Sequence, residues 1–133
     1  MIRRMSSVIG LVALLGIAAV GVHAQGMHTS KRFSGSKVNA GTVTHTKDAG
    51  KDVLKLSADF VVPDTPDPHW QVIDSKGTAY LLQRLAIKGD KVNTQITLPA
   101  YIKDVAKVQI YCAWAEAVLG ETTFDATITT NHN

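Results

Sequence analysis

Cys112 is the only cysteine in the chain, and it sits in the run VQIYCAWAEAVLG from Val108 to Gly120. A lone thiol has three chemical uses: an inert, buried apolar residue, a soft ligand for haem or a metal ion, or a redox-active nucleophile that forms mixed disulfides. Extended backbone would place Val108, Ile110, Cys112 and Trp114 on one face, pointing the thiol into a core. The same alternation brings Glu116 onto that apolar face, which is costly unless the chain bulges or bends near Ala115 and Glu116. Apolar neighbours Ile110, Ala113 and Trp114 raise a thiol pKa and quiet it. The second chemical candidate is His69, in the tripeptide Pro68-His69-Trp70. Thiolate and imidazole together suit copper, zinc or haem iron, so His69 is a candidate to complete a two-ligand soft site with Cys112. Trp70, Trp114 and Glu116 are the candidates for a second ligand or for pocket walls. The competing reading of His69 is a solvated or structurally hydrogen-bonded imidazole. His28, His45 and His132 have no comparable context, and His28 and His132 fall in terminal segments.

Asp59, Asp64 and Asp67 flank a proline-rich stretch, but their spacing is not that of an EF-hand, and turn and capping chemistry explains them at least as well. Glu116 and Glu121 are conceivable as an acid-base couple, though no neighbouring residue requires it. There is no GxSxG, Walker loop, HExxH or CxxC, which leaves hydrolase, nucleotide-binding, zincin and thioredoxin-type chemistry without a motif. No recognisable catalytic constellation marks the chain as an enzyme.

The elements that must position these groups read as strands. Val38 to Thr46 is rich in Val and Thr, with Gly41 as a candidate bulge. A hairpin loop over Lys47 to Lys51 leads to Asp52–Phe60, where Leu54, Leu56, Ala58 and Phe60 share a face. VVPDTPDP, from Val61 to Pro68, holds three prolines and is read as an extended, turn-rich loop. His69 to Asp74, Ala79 to Ile87 and Val92 to Leu98 follow as strands, separated by turns at Ser75–Gly77 and Lys88–Lys91. Trp70 and Val72 are expected to pack inward, with His69 facing the other way. Lys107 to Trp114 fits a period of two better than a helix. Leu119–Glu121 is read as a turn into a last strand over Thr122 to Thr130. Short strands at this spacing predict a single all-β domain, an antiparallel β-sandwich or barrel-like fold.

The 133-residue chain begins with a pattern typical of export. Arg3 and Arg4 precede an apolar run over Val8 to Val22, and Val22-His23-Ala24 fits cleavage after Ala24. The run is short for a bilayer crossing, so the mature chain is expected to have no transmembrane span; an uncleaved anchor is the alternative. The expected organisation is a signal peptide over 1–24, a flexible N-terminal arm over 25–36 that docks through Phe33, and a β domain over 37–133. The location is then periplasmic or secreted. Of 14 basic and 11 acidic residues, Arg3 and Arg4 are lost with the signal, which leaves the remainder near neutral. Its lysines are spread singly, without the basic stripe that nucleic acid requires. One cysteine permits no intramolecular disulfide, so packing must stabilise the domain.

Three stretches carry a resemblance to a known family. They are Phe33 followed by Gly41-Thr42-Val43, the run from Leu56 to Val72 through Pro66-Asp67-Pro68-His69, and Val108 to Cys112 followed by Leu119-Gly120. Together they resemble the DM13 domain, a small extracytoplasmic module found alone in bacterial exported proteins and joined to other domains in animal cell-surface proteins. The resemblance implies an all-β domain with a characteristic cysteine, proposed to act in electron transfer as a naked thiol or by holding a prosthetic group such as haem. That role maps onto Cys112. The chain carries no fused redox domain, so a redox partner or cell-envelope protein would act in trans. The rival expectation is a non-catalytic extracytoplasmic binding module in which Cys112 fills the core and the loop from Val61 to Pro68 grips a ligand.

Overall fold

The computed structural model describes residues 27–89 and 91–130. The expected signal segment over 1–24 and His132 lie outside them. The described chain is all-β, and its paired strands are antiparallel. The described residues form ten strands: β1 (Met27–Thr29), β2 (Val43–Asp48), β3 (Lys51–Leu56), β4 (Pro68–Ile73), β5 (Ala79–Arg84), β6 (Ala86–Ile87), β7 (Lys91–Val92), β8 (Gln95–Thr97), β9 (Asp104–Cys112) and β10 (Ala117–Thr129). One sheet has the order β1-β2-β3-β8, a second β10-β9-β4-β5, and β6 pairs with β7 alone. Among the described residues no helix is long and apolar enough to cross a membrane.

Alternation decides which side chains meet. From the first sheet, Val43, Leu54, Leu56 and Ile96 point inward; from the second, Trp70, Val72, Val108, Ile110 and Cys112 do so. These residues of both sheets share one core. Trp70 is fully buried, as its alternation with Val72 predicts, and its indole N–H donates to the Asn93 carbonyl at 2.8 Å. Its ring nitrogen is therefore satisfied inside an apolar core, which removes the usual cost of burying a tryptophan. The proline-rich stretch has the irregular, extended backbone its composition dictates until Pro68 opens β4.

Three features differ from the sequence reading. Within the expected flexible arm over 25–36, the described residues are docked. Met27 to Thr29 pair with β2, and Phe33 is 2% exposed, edge-on to Phe60. The chain then runs along β10: Lys31 N–H donates to Thr123 O, Ser34 and Glu121 exchange backbone bonds, and the N–H groups of Lys37 and Val38 donate to Leu119 O. Glycine makes the approach close enough for this. A Cβ on Gly120 would stand 2.7 Å from the Val38 carbonyl oxygen, and one on Gly35 would stand 2.4 Å from the Gly120 Cα. Backbone proximity of this kind leaves no hydrophobic period in the sequence, which is why 25–36 reads as an arm.

Second, the strand expected over Val38 to Thr46 starts at Val43 instead. Gly41 lies at φ 89° against Phe60, and the β2–β3 turn takes only Ala49 and Gly50, both at positive φ. A two-residue turn of this handedness matches the twist of the strands it joins. Third, Leu119–Glu121 is no turn. It lies within β10, with a register irregularity between Val118 and Gly120, and the reversal occurs earlier, over Ala113–Glu116.

Candidate functional site

The shift of that turn reorganises the neighbourhood of Cys112. β9 ends at Cys112, so Trp114 leaves the strand and stands 76% exposed on the hairpin tip instead of sharing the inward face. Glu116 is exposed as well, at φ 53°. The bend expected near Ala115 and Glu116 is thus present as a full reversal, and no carboxylate enters the core. A non-glycine residue at that φ carries conformational strain, and glycine is free of it. Glu116→Gly is expected to stabilise the protein by up to about 1 kcal/mol, the roughly 1–2 kcal/mol of left-handed strain relieved less the ~0.4–1 kcal/mol of extra unfolded-chain entropy that glycine brings, read as a raised midpoint in urea unfolding with an unchanged slope.

Cys112 faces the core and is 1% exposed. Its sulfur nevertheless does not lie in plain hydrocarbon. The backbone N–H of Ala115 is the strongest of three amides that hold the thiol pKa below its ordinary value, with those of Asp67 and Trp114 assisting against the opposing effects of burial and the Asp67 charge. The turn wraps its amides back onto the strand-end sulfur, and the end of the proline loop adds the Asp67 amide from beside the start of β4. The Ala113 N–H donates to Asp67 O at 3.0 Å and ties the two segments together. The apolar neighbours that suggested a raised thiol pKa are outweighed by backbone dipoles, which a residue-type reading does not register.

His69 occupies the opposite face. β4 pairs Pro68 with Cys112 and His69 with Tyr111, so the imidazole and the thiol project from opposite sides of the sheet. Both imidazole nitrogens are also engaged: Nδ1 donates to the Leu82 carbonyl at 2.9 Å, and Nε2 lies 3.2 Å from Asp67 Oδ1. Arg84 Nε holds the same carboxylate oxygen at 3.0 Å, and its Nη2 donates to Pro66 O. His69, Asp67 and Arg84 therefore pin the proline loop onto β5. The thiol and the imidazole do not converge, and among the described residues no three His, Cys, Asp or Glu side chains gather as a metal site. A sulfur this enclosed, with backbone N–H groups in place of a second ligand, does not fit a haem or soft-metal centre built on Cys112 and His69. Of the other acidic candidates, Asp59 accepts a hydrogen bond from Ser57, and Glu121 accepts from Gln109 and Lys107 on the outer face.

A further cluster went unseen in the sequence. His45 points inward from β2 and is 3% exposed; its Nε2 lies 2.7 Å from Oδ1 of Asp52, which is fully buried. Lys47 Nζ reaches the other oxygen of that carboxylate at 3.2 Å, and His28 Nδ1 meets His45 Nδ1 at 3.1 Å with the rings stacked. Burial is the main reason that the His45 pKa lies below its ordinary value, against the raising influence of Asp52. The available signal was parity. Asp52 is in phase with Leu54 and Leu56, and His45 with Val43, so the core-facing alternation already included both.

Comparison with known proteins finds no matching family model, and neither a curated protein nor a solved structure that matches the chain.

Proposed function

We propose that the chain is an exported β-sandwich module of the kind its resemblance to the DM13 domain suggests, in which Cys112 works as a naked thiol in redox exchange with a cell-envelope partner in trans. The observation that supports this most is the set of three backbone N–H groups around the sulfur, since they favour the thiolate, the nucleophilic form. In the exchange, the Cys112 thiolate attacks one sulfur of a partner disulfide. The partner's S–S bond breaks, its second sulfur leaves as thiolate, and a mixed disulfide remains. With no second cysteine in the chain, an external thiol must resolve that bond. Attack requires a local opening over the sulfur that leaves the amides of the Ala113–Glu116 turn against it, because the thiol is almost fully covered. Trp114, at the exposed tip of that turn, is the natural first contact for a partner.

A thiol-specific alkylating reagent tests this on the native protein. Modification of Cys112 under native conditions is expected, with a rate that rises with pH along a thiolate titration centred below that of a free cysteine. Alkylation only after denaturation would overturn the proposal. The binding-module reading keeps one observation in its favour, a cleft of about 900 Å³ on the outer face of β2 and β3, lined by Thr44, Thr46, Val53, Lys55, Phe60 and Val62.

A further inference from the structure

The His28, His45, Asp52 and Lys47 cluster plays no part in thiol chemistry, and its geometry restricts how many protons it holds. Asp52 accepts from Lys47 and lies against His45 Nε2, so that nitrogen carries a hydrogen. Two imidazole nitrogens facing each other at 3.1 Å accommodate a single hydrogen between them. Two doubly protonated rings would set two N–H groups head to head in the same space. With the rings in contact, the pair carries at most one positive charge; separated, each ring can take its own.

The two rings sit on elements of unequal strength. His45 lies in the middle of β2, which pairs with β3 over six residues. His28 is the central residue of β1, an exposed edge strand of three residues. Just beyond β1 the chain is anchored: Ser30 N–H donates to Val43 O, Ser30 Oγ accepts from the Val43 N–H, and Phe33 is buried. A cleft of about 530 Å³, lined by His28, Phe124, Asp125 and Ile128 among others, separates β1 from the last part of β10. The charged groups facing the pair are Asp52 from β3, Lys47 from β2 and, across the cleft, Asp125 from β10.

We propose that β1 is a proton-operated latch: acid separates His28 from His45, and β1 peels from β2 as far as Ser30 while the rest of the fold stays intact. The sign follows from linkage. A histidine held below its ordinary value of 6.5 in the folded state is protonated later than in the opened state, so the opened state binds more protons as pH falls below that value. The stability of the closed latch is thus fully present above the ordinary histidine range and is lost as pH drops through it.

Amide hydrogen exchange across pH 7 to 5 on the whole protein tests the latch. Protection factors in the β1–β2 ladder are expected to fall by about tenfold per pH unit below pH 6, for one proton taken up on opening, while those of the β9–β10 ladder stay constant. His28→Gln, whose amide can turn its oxygen to accept from a doubly protonated His45, lifts the limit on protons in the closed state and should remove that slope. Ladder protection that is independent of pH, or the same slope in His28→Gln, would overturn the latch. If His28→Gln does not dock β1, nitrogen NMR of the two native rings decides instead. Proton uptake that coincides with loss of β1–β2 contacts supports the latch, whereas full titration of both rings with β1 still paired overturns it.

Discussion

Asp52→Ala is expected to destabilise the protein by about 3–5 kcal/mol, the loss typical of breaking a buried ion pair from one side. The carboxylate is fully buried, lies against His45 Nε2 and pairs with Lys47. Without it, the buried His45 loses its acceptor and the Lys47 ammonium loses this counter-charge, while the removed side chain leaves a gap beside Leu54 that cannot close fully. For a domain of this size each kcal/mol lowers Tm by about 4–8 °C, so a drop well above 10 °C is expected in thermal unfolding followed by circular dichroism. A drop below about 4 °C would show that the cluster contributes little net stability. Asp52→Asn gives a finer reading: it keeps the shape and one acceptor but removes the charge, and should fall between wild type and Asp52→Ala.

Trp70→Ala should be at least as damaging, about 3–5 kcal/mol for a fully buried aromatic reduced to a methyl group. Trp70 sits where both sheets meet, and its N–H anchors Asn93, which in turn donates through its side-chain amide to Arg84 O and through its backbone N–H to Leu85 O. The indole therefore ties the β7–β8 connection to the end of β5 as well as filling space. Trp70→Phe separates the two contributions. It keeps much of the buried area and loses the hydrogen bond, so its cost should be roughly 1–3 kcal/mol. Urea unfolding with a common slope for wild type and both variants provides the measurement. Equal losses in Trp70→Phe and Trp70→Ala would mean that the hydrogen bond, not the packing, carries the effect.

The cysteine and the histidine cluster show why a candidate site is only partly readable from residue order. Burial of Cys112 follows from its alternation with Val108 and Ile110, and the structure has it so. What happens to Trp114 and Glu116 does not follow, because the reversal depends on where β9 stops pairing, and VQIYCAW alternates smoothly past that point. The amides that lower the thiol pKa belong to Ala115, Asp67 and Trp114. Two are contributed by the turn and one by a segment 45 positions away in sequence, and none depends on side-chain identity. His69 illustrates the opposite case: its proximity in register to Cys112 is real, but strands that pair side by side send neighbouring residues to opposite faces.

Period-two alternation and turn-forming residues were enough to determine an all-β chain, the inward faces of β3, β4 and β9, and the irregular backbone of the proline stretch, because those properties depend on neighbours within a few positions. Only the tertiary structure decided that 27–29 pairs with β2 and 31–38 lies along β10, that the last hairpin reverses at Ala113–Glu116, and that His28, His45, Asp52 and Lys47 meet in one cluster. These arise from contacts between distant backbones, where glycine clearance, amide direction and strand register settle the outcome and the order of side chains carries no periodic trace.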